Sequence, residues 1–403
     1  MARRFRFAKN SFVPTNGLAA QPQWAIYGHI LLTLVIGLAG ALVFRYLHVP
    51  LPWLLGPIVF CLTAAVAGMP VRLSGKVRPV MTTVIGTMLG STFTWELLAH
   101  VTQWYPTVLV LWLNLAVAGA VCVAYFRAVV GLDTKTAFFS GMPAGVTEMT
   151  ALSDEHDADT AVVALIQSTR ILLVVCALPF IIRMVSDMQL VTRPMTSVSI
   201  FDAPLASVAW LTVVCTSGAV IGHLLRFPAK MMFGPLLLSA VIHMTGISDF
   251  KPPVELVNGA QMLIGCSVAT RFSGVNPLVI LRLMALSVVS TCLLLIITVI
   301  FALIASKLSY QQEIPVLLAF SPGGLAEMSL VALALNLEVA FVTTHHILRV
   351  IAVVLGANLL LRYVLKSKPR STVLHHSADS ANLLDRQAEA TASRPTDASA
   401  SDK

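Results

Sequence analysis

Apolar and polar blocks alternate along this chain on the scale of membrane-crossing helices. Six apolar runs, at residues 26–47, 108–126, 161–182, 205–225, 279–305 and 339–361, reach the length of about 20 residues that a helix needs to cross a bilayer. They predict an all-α polytopic membrane protein. Shorter apolar stretches containing glycine or proline lie between them, at 53–69, 77–98, 138–152, 232–246, 254–272 and 314–335. Backbone groups freed by glycine or proline need protein or water around them rather than lipid, so these stretches are expected to cross, tilt or re-enter beside the long spans.

The pattern occurs twice. Gly40 and Ala41 match Gly218 and Ala219, Pro50 matches Pro228, and Gly56 and Pro57 match Gly234 and Pro235, all at an offset of 178 residues. Gly86 matches Gly265, Phe93 matches Phe272 and Arg170 matches Arg349 at 179. The chain is therefore expected to hold two homologous membrane repeats, 26–184 and 205–365, of five to six transmembrane segments each, joined by a polar linker at 185–204. Internal duplication is a feature of many secondary transporters, whose sites lie between the repeats at interrupted helices. Parity sets orientation: six crossings per repeat make the halves parallel and five make them inverted. Basic loop residues leave both arrangements open.

One repeated stretch carries candidate chemistry. Residues 142–150 read MPAGVTEMT and residues 321–329 read SPGGLAEMS. Proline removes a backbone donor and glycine weakens a helix, so Pro143, Gly145, Pro322, Gly323 and Gly324 are expected to break their segments. Glu148 and Glu327 stand beside the breaks, and a carboxylate at the centre of a membrane helix costs about 2.5–3.5 kcal/mol. The expected partners are the arginines 22 residues on, Arg170 and Arg349. Such pairs form either a substrate or ion site, which would include Gln167 and its counterpart His346, or buried ion pairs that only fix helix register.

Composition agrees with the hydropathy pattern. The chain is 57% hydrophobic and 11% charged, with a mean hydropathy of +0.83, more apolar than a soluble domain requires. Its net charge of +8 could suggest nucleic acid, but the basic residues gather at Arg3, Arg4, Arg6 and Lys9, in short loops and after the last span. That is the positive-inside distribution, so the basic arm 1–25 and the C-terminal tail are expected in the cytoplasm, without direct nucleic-acid binding. The tail 366–403 is too polar to fold alone and is expected to be disordered.

No enzyme, cofactor or metal site is expected. Fingerprints of nucleotide, zinc-peptidase or serine-hydrolase chemistry have no suitable setting. The six cysteines form no C-x-x-C motif, and adjacent His345 and His346 point apart on a helix. Asp154, Glu155, His156, Asp157 and Asp159 crowd one short loop with no echo in the second half and are expected to be solvated.

The duplicated MPAGVTEMT and SPGGLAEMS segments, the arginine-bearing spans after them and the Gly-Pro segments upstream resemble the bacterial membrane AbrB family, over about residues 26–365. The resemblance implies an integral inner-membrane protein linked to regulation of gene expression, in at least one member of an alkylation-response gene. The family also carries an ammonia monooxygenase label. That activity needs copper on clustered histidines, whereas His29, His48, His100, His223 and His243 are scattered. SPGGLAEMS is also similar to the PGG break of bile-acid-symporter-like transporters. Two functions follow: a carrier of a small solute, its site built from the two breaks, or a membrane regulator acting through a cytoplasmic partner. Lipid surrounds the protein in either case, and a homo-oligomer is compatible with both.

Overall fold

The structure, a computed structural model, describes residues 23–75, 77–185, 199–227, 229–335 and 337–363. The basic arm up to residue 22, the linker at 186–198 and the tail from 364 lie outside the described residues. Among those described, the chain forms fifteen α-helices and no strand. Six contain stretches long and apolar enough to cross a membrane: α1 (Gln23–Tyr46), α5 (Tyr105–Tyr125), α8 (Thr160–Val185), α9 (Leu205–Leu224), α12 (Pro277–Ser309) and α15 (Val339–Tyr363). Their positions follow the six apolar runs of the sequence.

Nine shorter helices fill the intervals: α2 (Pro52–Val66), α3 (Val77–Gly90), α4 (Trp95–Val101), α6 (Thr134–Gly141), α7 (Val146–Glu155), α10 (Lys230–Met244), α11 (Val254–Ala269), α13 (Glu313–Phe320) and α14 (Leu325–Ala334). Local chemistry starts several of them. Proline opens α2 and α12, where its fixed φ suits the first helical turn and its missing N–H is not needed. The Asp133 carboxylate accepts from the amides of Lys135 and Thr136 at 3.1 and 3.0 Å to cap α6, and Asn276 accepts from Leu278 N at 2.9 Å to cap α12.

Close helix approach explains the paired glycines. A β-carbon on Gly40 of α1 would stand 2.5 Å from the carbonyl oxygen of Gly56 in α2, and one on Gly234 of α10 would stand 1.8 Å from that of Gly218 in α9. Neither crossing admits a side chain, as in membrane helices joined through small residues. The turns leading into α2 and α10 also match: His48 and Leu51 have φ of 53° and 49°, and Arg226 and Ala229 have 52° and 48°.

Contacts cross between the halves reciprocally. α2 packs on α11 and α10 packs on α3; Gly265 meets the backbone carbonyl of Leu54, and Gly86 that of Met232. α5 packs on α12, α8 on α12 and α15 on α5. α1 and α9 turn apolar side chains such as Leu31, Val35, Val213 and Val220 outward. In the interior, α8, α15 and the short pairs α6–α7 and α13–α14 supply much of the largest apolar core.

Candidate functional site

Residues 142–145 separate α6 from α7, and residues 321–324 separate α13 from α14. Each interruption runs in extended conformation: Met142 has ψ 128° and Gly145 ψ 141°, Ser321 has ψ 138° and Gly324 ψ 152°. Breaking a helix leaves carbonyls orphaned on its C-terminal side and amides on its N-terminal side. These two sets of groups meet different fates.

Side chains from α8 and α15 take the carbonyls. Arg170 donates to Met142 O at 3.0 Å and Ala144 O at 2.8 Å, and Gln167 Nε2 donates to Phe139 O at 2.6 Å and Met142 O at 3.0 Å. Gln167 Oε1 in turn accepts from Arg170. In the second half Arg349 donates to Ser321 O and Gly323 O, and His346 Nε2 lies 3.1 Å from Leu318 O. With no donor other than that ring nitrogen for this contact, the proton belongs on Nε2. Gln167, Arg170, His346 and Arg349 are all at most 2% exposed, so these four residues are buried clamps on the breaks.

The expected ion pairs are corrected here. Among the described residues neither Glu148 with Arg170 nor Glu327 with Arg349 forms a salt bridge, because the guanidinium terminal nitrogens are already engaged by carbonyls. Each glutamate instead folds back over the start of its own helix. Glu148 and Glu327 are the third residues of α7 and α14, after N-cap glycines. A β-carbon on Gly145 would stand 1.9 Å from Glu148 Oε2, and one on Gly324 would stand 2.0 Å from Glu327 Oε2. An acidic group here is favoured by the positive end of the helix dipole.

Both helix starts open into one cavity of about 660 Å³. Its wall includes Gly145 and Glu148 from one break and Gly323, Gly324 and Glu327 from the other. Arg349 reaches it from α15, Arg78 from α3, His223 from the last turn of α9, Arg226 from the turn that follows and Lys230 from the start of α10. Lys230 Nζ lies 3.0 Å from His223 Nδ1. Glu327 is 3% exposed, whereas Glu148 is half-buried. Behind the wall, the half-buried Arg271 interacts electrostatically with Glu327, Glu148 and Arg78, and its guanidinium is 3.4 Å from Ser168 Oγ.

Of the sequence candidates, the cavity wall contains Glu148, Glu327, Arg349 and the glycines of both breaks, while Arg170, Gln167 and His346 stand behind it as clamps. Sequence reasoning passed over Arg78, His223, Arg226, Lys230 and Arg271 as site residues. Subtracting the repeat offsets from Arg226 and Lys230 leads to His48 and Pro52, so a search for chemistry shared by both halves overlooks these cations.

The remaining polar candidates are tied up locally. Asp159 Oδ1 accepts from Val162 N at 3.1 Å at the start of α8. His156, expected in a solvated loop, is buried, with Nδ1 2.9 Å from Leu152 O and its ring against Phe139. His345 lies between Thr107 Oγ1 at 2.7 Å and Phe341 O at 2.8 Å. Among the described residues no three His, Cys, Asp or Glu side chains cluster as a metal site.

Known proteins with similar sequences place this arrangement in context. The AbrB family model, described as transition state regulatory protein AbrB, matches residues 53–365. A Bacillus subtilis (strain 168) protein called "Uncharacterized protein YhjN" is 29% identical over 240 residues, covering 55% of this chain and 61% of that relative. An Escherichia coli (strain K12) protein called "Putative regulator AbrB" is 26% identical over 359 residues, covering 86% of this chain and 98% of that relative.

Proposed function

This chain belongs to the AbrB family, and on that premise we propose that it is a secondary-transporter-like carrier of a small solute. The observation that carries this reading is the single cavity shared by the starts of α7 and α14, each with a glutamate as its third residue. Duplication supports it. The glycine crossings, the positive-φ turns and the arginine clamps all recur at the sequence offset, as expected of two homologous repeats whose broken helices face each other. The carrier resides in the bacterial inner membrane, with the basic arm and tail in the cytoplasm according to the positive-inside distribution.

A carrier must expose its site alternately to either side, and interrupted helices provide backbone that can move without unravelling a whole span. In this reading the arginine clamps hold the carbonyl side of each break, and the amide side with its glutamate is the working surface. The test is a metabolite screen for altered accumulation or efflux, comparing cells carrying the wild type with cells carrying Glu327→Gln at matched membrane levels. A solute whose movement depends on Glu327 supports the carrier; identical profiles would remove it.

The name of the Escherichia coli relative, a regulator, favours a second reading, a membrane-embedded regulator of gene expression working through a cytoplasmic partner. Deleting residues 366–403 or the basic arm would then abolish a regulatory phenotype that Glu327→Gln preserves. A carrier whose solute alters gene expression reverses that pattern.

A further inference from the structure

Resting on the carrier reading, we propose that the cavity is an anion site whose solute is a small carboxylate, and that this carboxylate displaces Glu148 or Glu327 from its helix start. Four cations, Arg78, Arg226, Lys230 and Arg349, face two carboxylates across about 660 Å³. That volume lies within the range of about 300–1,000 Å³ typical of small-molecule sites. The wall is therefore positive even with both glutamates ionised. Two helix N-termini add their dipoles in the same sense.

The glutamates show what these positions select. Each places a carboxylate oxygen over an N-cap glycine, where a solute carboxylate would also be favoured. Glu327 adds a second observation, a nearly buried carboxylate in the cavity wall. It is 3% exposed and faces the cavity. A carboxylate held in so little water is costly, so the glutamate is poised to leave its place when a better-held anion arrives.

The charge pattern predicts how variants sort. Removing the negative charge of Glu327 should help an anion, and removing the positive charge of Arg78 should hurt it; a cation would show the opposite order. Arg78 is half-buried and is not one of the clamps, so Arg78→Gln leaves the interrupted backbone held.

The full-length protein, purified and reconstituted in lipid nanodiscs, is titrated with radiolabelled acetate, succinate, inorganic phosphate and choline at fixed ionic strength. Saturable binding of acetate or succinate is expected, weakened about tenfold or more by Arg78→Gln and kept or tightened by Glu327→Gln. Thermal unfolding of each variant checks that it is folded, and Lys230→Gln serves as a second charge-removing variant if Arg78→Gln is not. Phosphate binding without carboxylate binding would overturn the carboxylate assignment. Choline binding that Glu327→Gln abolishes, or no saturable binding of either carboxylate, would overturn the anion site. Carboxylate binding without movement across vesicles would remove the carrier and leave the anion site; movement of a cationic solute would do the reverse.

Discussion

Arg349 bonds the carbonyl of Gly323, the residue that follows the proline of the second break, and Arg170 bonds Ala144 in the same way in the first. Both arginines are buried and close enough to influence each other electrostatically. Two like charges remain together there because each is surrounded by carbonyl oxygens from the end of a broken helix, where the helix dipole is negative.

Arg349→Met should therefore unfold more easily than the wild type. It strands the Gly323 carbonyl and leaves Ser321 O with only the Gly323 amide at 2.8 Å, and an unsatisfied buried acceptor costs about 1–3 kcal/mol. Arg349→Lys should recover only part of this loss, since an ammonium cannot reproduce the planar fork that spans two acceptors. Thermal unfolding of purified protein in nanodiscs provides the comparison, and equal stability of all three forms would contradict the clamp.

His346→Gln should be tolerated. Gln167 performs the corresponding task in the first half, and a glutamine amide can donate to Leu318 O as the imidazole does. His346→Leu removes this donor but leaves Leu318 O the Ser321 amide at 3.3 Å, so it should cost about 0.5–1.5 kcal/mol in the same unfolding assay.

Gly324→Ala should abolish solute movement while leaving membrane insertion intact. The added methyl would meet Glu327 Oε2 at 2.0 Å and push the carboxylate off the helix start. Gly145→Ala should act likewise through Glu148, at 1.9 Å. Transport by both variants at the wild-type rate would show that the carboxylate positions are immaterial.

Gly234→Ala should lower stability by about 1–3 kcal/mol, the usual cost of overpacking, because its methyl would enter the space of the Gly218 carbonyl at 1.8 Å. Gly356→Ala is the control. It lies on α15 with nothing within 4 Å of the added carbon and should gain roughly 0.5–1 kcal/mol from better helix propensity. Unfolding midpoints that shift alike for the two variants would count against the close helix crossing.

The sequence by itself determined where the long helices lie, because a run of apolar side chains declares its solvent without reference to any partner. It also pointed to residues 142–145 and 321–324 as unusual, since proline and glycine alter the backbone locally. Partner choice was beyond it. On charge alone Glu327 and Arg349 look like a pair, yet the arginine goes to the Ser321 and Gly323 carbonyls, whose need arises only when the helix breaks and the segment is buried. Arg78, Arg226 and Lys230 were equally hidden, because they lie outside the shared motif and join the site only when α3 and the α9–α10 turn close over the two helix starts. Apolar burial and local backbone preference are written along the chain; which polar groups share a cavity depends on the packing that excludes lipid and water from around them.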